Sequence, residues 1–156
     1  EGKEFEAFTT SGGLGTMCET YEGKVDTLNY KSIRYPGHGK LMKFLIHELI
    51  LKDDKKTLTE ILKNAKPTVE EDVVYVYAVV EGWKGEHLSR NEFYKAYSPI
   101  TIKGNKWRAI SWTTAASIAA VIEMVDIGAL PSKGFIKQEN IPFDKFLETK
   151  FGSLYK

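Results

Sequence analysis

The chain has 156 residues, 42% of them hydrophobic, with 22 Lys and Arg against 21 Asp and Glu and a net charge of +1. A chain of this length can bury roughly 70% of its unfolded surface without disulfide or metal staples, and so even a balance gives no electrostatic reason to expect nucleic acid or an anionic membrane as partner. The longest apolar run falls short of the roughly 20 residues that span a bilayer, and a soluble cytoplasmic protein is expected.

Glu1 opens on an alternating pattern with neither initiator methionine nor signal sequence, as in a segment cut from a longer chain. Phe5, Ala7 and Thr9 alternate with Glu4, Glu6 and Phe8, which predicts a half-buried strand that Ser11-Gly12-Gly13 breaks. A short helix is expected over Leu14 to Tyr21, ended by Gly23, and a second strand over Val25 to Tyr35. After Pro36-Gly37, apolar residues at helical spacing predict a helix from Lys40 to Leu51, then another from Lys56 to Ala65 with Asp53 and Asp54 as caps.

Val73 to Val80, VVYVYAVV, is continuously apolar and predicts a central strand covered on both faces. Leu88 to Tyr97 returns as its antiparallel partner, and Gly104-Asn105 marks a second hairpin between Ile100-Thr101-Ile102 and Trp107 to Trp112. Thr113 or Thr114 can cap a helix reaching Ile127, whose scattered polar residues Ser117, Glu123 and Asp126 make no solvated face. Such a helix needs cover nearly all round, from a subunit, a further domain or the centre of its own core. Phe143, Phe146 and Leu147 form a last short helix. These elements predict one α/β domain of the α+β type over residues 1–156, a mixed, largely antiparallel sheet of about five or six strands flanked by helices.

The run Ser11-Gly12-Gly13-Leu14-Gly15-Thr16 lacks the dinucleotide fingerprint, since after Gly13 and Gly15 the third glycine position is Cys18 and no repeating βαβ pattern surrounds it. Two readings remain: a plain strand-to-helix turn, or a turn whose free N–H groups and hydroxyls from Thr9, Thr10 and Ser11 meet a carboxylate. Arg34, Tyr35 and His38 bring a guanidinium, a phenol and an imidazole to one strand end; the fork of arginine suits bidentate carboxylate recognition, and an imidazole can carry a proton. On spacing alone a surface arginine without a ligand is the usual case, and a lone histidine in a turn is more often structural. Trp107, Arg108, Trp112, Thr113 and Thr114 form a second aromatic and basic cluster. His38, His47 and His87 share no metal-ligand spacing, and Cys18, the only cysteine, is expected to be a buried structural thiol in a reducing compartment.

TSGGLGT, the run GKV-x-x-LNYK-x-IRYPGH, TTA-x-x-I and GFIKQENIPFDKFL together resemble the C-terminal domain of saccharopine dehydrogenase-like oxidoreductases, whose relatives include lysine dehydrogenases. The resemblance implies the substrate-binding and dimerisation half of an enzyme of lysine metabolism that transfers hydride between NAD or NADP and a carbon bearing an amine. The cofactor would be held mainly by an N-terminal Rossmann domain absent from this sequence, so the isolated chain is expected to be inactive. By that likeness Thr10, Ser11, Gly12, Gly13, Arg34 and Thr114 would contact an amino-acid substrate, with Tyr35 and His38 shaping the site or moving a proton. A homodimer is implied, with no metal, nucleic acid or membrane. The alternatives are a dehydrogenase for another amine, such as lysine or carboxynorspermidine, and a non-catalytic binding or dimerisation module.

Overall fold

The computed structural model describes residues 2–10 and 13–156, which group into two compact units, Glu1–Thr68 with Lys137–Asn140, and Val69–Ile136 with Ile141–Lys156. The chain is α+β, with helices and exclusively antiparallel strand pairs among the described residues. The six strands among the described residues form three separate two-stranded ladders, in place of the single five- or six-stranded sheet expected. Four of the six strands are only three residues long, too short to recruit further neighbours.

In the first unit, strand β1 (Glu6–Phe8) pairs with β2 (Ser32–Arg34), setting Glu6 opposite Arg34 and Phe8 opposite Ser32. The expected strand over 25–35 shrinks to these three residues because Asp26 and Asn29 favour turns and β1 offers only three partners. Helix α1 (Met17–Tyr21) is followed by Gly23 at φ 69°, the left-handed geometry expected there. Helix α2 (His38–Lys43) widens into a π-helical turn over Phe44–Glu48, where Leu49 N donates to the Phe44 carbonyl at 3.0 Å. Helix α3 (Lys55–Ala65) is capped by Asp54, whose carboxylate accepts from Thr57 N at 3.0 Å; Asp53 does not serve as the cap. None of this unit's described residues is buried.

The second unit holds the core. Strands β3 (Val74–Lys84) and β4 (His87–Tyr97) form an 11-residue hairpin closed by Gly85-Glu86, with Gly85 at φ 65° as a two-residue turn of the II′ kind requires. Strand β3 is not the covered central strand expected: β4 is its only ladder partner among the described residues, and Tyr77, Val80 and Trp83 are exposed. A smaller hairpin joins β5 (Ile100–Ile102) to β6 (Asn105–Trp107) through Lys103-Gly104, both at positive φ. The strand predicted from Trp107 to Trp112 ends at Trp107, because helix α4 (Ala109–Asp126) has already begun.

Neither Thr113 nor Thr114 caps α4. The Asp72 carboxylate does, accepting from Ala109 N at 2.6 Å and Ile110 N at 2.9 Å, while the two threonine hydroxyls bond back to the carbonyls of Ala109 and Ile110 at 2.7 Å. One face of α4 buries Ala109, Trp112, Ala116, Ala120 and Met124; the other leaves Ile110, Ile118 and Ile122 exposed. By length and composition alone it could cross a membrane, but its buried face carries the centre of this unit's aromatic cluster. Tyr97 and Trp112 meet edge to face at 5.5 Å, Tyr155 meets both, and Trp112 Nε1 donates to the Ser98 carbonyl at 2.9 Å. Helix α5 (Phe143–Glu148) and the 3₁₀ turn Gly152–Tyr155 close the cluster, with Gly152 so near the Phe146 carbonyl that a Cβ has no room.

Candidate functional site

Glu6, which the sequence did not single out, organises the strand-end cluster. Its side chain ignores Arg34 across the ladder and instead accepts from Gly37 N at 2.9 Å and Gly39 N at 2.5 Å. The amides of Gly39 and Gly37 hold this carboxyl below its ordinary range, with a smaller contribution from His38. The sequence shows the glycine pair of Gly37-His38-Gly39 but not which acid they meet, because the register that brings Glu6 beside them is set by the β1–β2 pairing. Gly37, at φ 89°, makes the turn that aims these amides at the carboxylate.

This arrangement leaves Arg34 without an acidic partner among the described residues. Its guanidinium is exposed and donates to the Ile33 carbonyl at 2.8 Å. Tyr35 is 74% exposed, with its ring 5.7 Å from that of Phe5. The His38 ring stacks on Phe8 with centroids 6.1 Å apart. An exposed cation, a phenol and an imidazole on one turn can bind a carboxylate and exchange a proton with it.

The glycine turn borders a different space. An open cleft of about 450 Å³ is lined by Thr9, Thr10, Gly13, Gly15, Asn29 and Tyr30 among others, and Thr10 Oγ1 lies 3.1 Å from Ser32 Oγ. The Tyr30 ring lies so close to Gly13 that a Cβ there would overlap it. The missing side chain thus makes room for an aromatic ring of the same unit. Cys18 also lines this cleft and is exposed, contrary to the expected buried thiol, because the five-residue α1 buries none of its residues. A neighbouring cleft of about 350 Å³ is bordered by Cys18, Tyr21, Val25 and Leu28.

The structure thus brings Thr10 and Gly13 to one cleft and Arg34, Tyr35 and His38 to one strand end, without placing the latter three on the cleft wall. Ser11 and Gly12 lie outside the described residues. Thr114 belongs to the second unit, where its hydroxyl is engaged by its own helix. A second unanticipated acid, Glu139, accepts from Thr20 Oγ1 at 2.5 Å, which lowers its carboxyl from the usual range, and from Thr16 Oγ1 at 3.0 Å, which adds a smaller effect. More than a hundred residues separate these partners, a distance over which local patterns carry no signal.

The described residues do not fit a dinucleotide. Every strand pair is antiparallel, no βαβ unit is present among them, and the Tyr30 ring occupies the room that Gly13 would give a pyrophosphate. No group of three or more His, Cys, Asp or Glu side chains among them could hold a metal ion. No protein-family model matches the chain, and no solved structure matches its fold.

Proposed function

We propose that this chain is the substrate-binding and dimerisation part of an NAD(P)-dependent oxidoreductase acting on the CH–NH group of an amino acid, of the saccharopine dehydrogenase-like kind. The observation that carries the reading is the Arg34 guanidinium, exposed and free of acidic partners among the described residues, beside Tyr35 and His38. A substrate carboxylate would complete it with a bidentate pair, and His38 or Tyr35 would exchange a proton with the substrate amine. Thr10 and Gly13 border the space that would take the rest of the amino acid. The nicotinamide cofactor supplies the hydride acceptor, and it would be held by another polypeptide segment, since the residues here do not cradle it.

The test is a titration of the chain with saccharopine, lysine and glutamate, followed by amide and side-chain NMR. Shifts at Arg34, Tyr35, His38, Thr10 and Gly13, with affinity falling about tenfold to a hundredfold in Arg34→Ala, are expected for loss of a charge-assisted pair. Silence at these residues with every amino acid would remove the substrate assignment. The second reading, a non-catalytic binding module, is favoured by the poor fit of the described residues to a dinucleotide, with every strand pair among them antiparallel, and binding without hydride transfer in any nucleotide-domain fusion would select it.

A further inference from the structure

We propose that Glu6 is a built-in competitor for the ligand carboxylate at Arg34, and that the turn at residues 36–39 keeps the site open by holding Glu6 away from the guanidinium. The inference rests on the reading of Arg34 as a carboxylate anchor and adds a control over that same group.

The β1–β2 register sets Glu6 directly opposite Arg34. Side chains so opposed in an antiparallel pair lie on one face with Cβ atoms about 4.5–5.5 Å apart, the spacing at which unlike charges pair across a ladder. That ion pair is not made. The Glu6 carboxylate accepts from Gly37 N at 2.9 Å and Gly39 N at 2.5 Å, one bond to each oxygen, and the Arg34 guanidinium donates to the Ile33 carbonyl at 2.8 Å. The amides of Gly39 and Gly37 also keep Glu6 in its charged form, with a weaker contribution from His38. One charged group thus has two positions. On the glycine amides it leaves Arg34 free; on Arg34 it fills the fork that an incoming carboxylate needs.

Reach and turn geometry select the first position. The amides converge on Glu6 because Gly37 takes φ 89°, which a residue with a Cβ adopts only under strain. Glutamate spans the gap. Aspartate, shorter by one bond of about 1.5 Å, would lose the 2.9 Å bond to Gly37 yet stay within range of the opposite Arg34. An exposed ion pair favours the paired state by a factor of about two to five. A ligand that needs the unpaired fraction then binds about three to six times more weakly.

The test is a titration of the chain with glutamate, followed by NMR at residues 34–39. Glu6→Asp should weaken binding about threefold to sixfold. Glu6→Ala loses the same amide bonds but brings no competitor, and should bind about twofold more tightly than the native chain, an exposed like charge being gone. Gly37→Ala strains the turn with Glu6 intact and should weaken binding about as much as Glu6→Asp; adding Glu6→Ala to it should bring affinity back at least to the native level. Equal losses in Glu6→Asp and Glu6→Ala would make Glu6 a structural tie and overturn the proposal, as would a Gly37→Ala defect that Glu6→Ala does not reverse. Absence of binding in every variant would remove the anchor reading instead, and the ligand-free chain then decides the competitor. The Arg34 Nε proton should shift and exchange more slowly in Glu6→Asp than in the native chain or in Glu6→Ala, and an unchanged Nε signal overturns the proposal.

Discussion

The two units are held by different physics. Every buried residue among those described, from Tyr97 to Gly152, lies in the second unit, where rings and small residues close around α4. The first unit buries none of its described residues and is tied instead by carboxylates: Glu6 to Gly37 and Gly39, Asp54 to Thr57, Glu139 to Thr16 and Thr20. Most of the residues suited to ligand chemistry, Thr10, Gly13, Arg34, Tyr35 and His38, stand in this loosely buried unit. That accords with the rule that sites needing freedom to adapt are drawn from the less stable parts of a fold.

The largest test of the contrast is Trp112→Ala. Trp112 is 4% exposed, fills the space between Tyr97 and Tyr155, and bonds Ser98. Its removal should cost about 3–5 kcal/mol, read as a lowered denaturation midpoint with hydrogen-exchange protection lost first in α4, β3 and β4. Equal loss of protection at Glu6–Phe8 and Ser32–Arg34 would show the two units to be one cooperative structure. A smaller effect is expected from Asp72→Ala, which frees the first amides of α4 and should cost about 1–2 kcal/mol. Asp72→Asn should recover part of this, because the amide oxygen still accepts one bond. Smaller again is Gly13→Ala, whose Cβ meets the Tyr30 ring. With Tyr30 45% exposed and its ring able to swing away, the cost should be about 1 kcal/mol, and Tyr30→Ala in the same chain should cancel it. Failure of the cancellation would mean that Gly13 serves the turn alone.

The sequence announced much of this fold and little of its site. The β3–β4 hairpin, α3 with Asp54 as its cap and the Gly23 stop follow from period and turn chemistry, which are local. Misread elements depended on partners far along the chain. VVYVYAVV describes a strand with two neighbours, and composition cannot say that only one lies within reach. Trp112 was assigned to a strand because its ring and the preceding Trp107 favour one, but Asp72 starts a helix at Ala109 from 37 residues away. At the site, the residue types of Arg34, Tyr35 and His38 were visible. That Glu6 would bind two glycine amides and leave Arg34 without an acid was not, because strand register decides it.

The sharpest division of the two units is their response to pH. Glu6, Asp54 and Glu139 all have carboxyl groups held below their ordinary values by hydrogen bonds that only the folded chain supplies. A depressed folded pKa means that the unfolded chain binds the proton first as pH falls. Their contribution is therefore complete above the ordinary carboxylate range of about 4 and is lost as pH drops through the lower folded values. In the second unit the shifted groups set by burial are Tyr97 and Tyr155, both raised. They favour the fold fully below about 10, and that contribution is lost as pH rises through their higher folded values. Acid should loosen β1, β2 and α1 before α4, and alkali the reverse, as followed by residue-resolved amide exchange between about pH 2.5 and 11. Glu6→Gln should flatten the acid response at residues 37–39 and leave the alkaline response of Trp112 untouched. A single transition shared by both units at each extreme would show that the carboxylate ties and the ring cluster act as one structure.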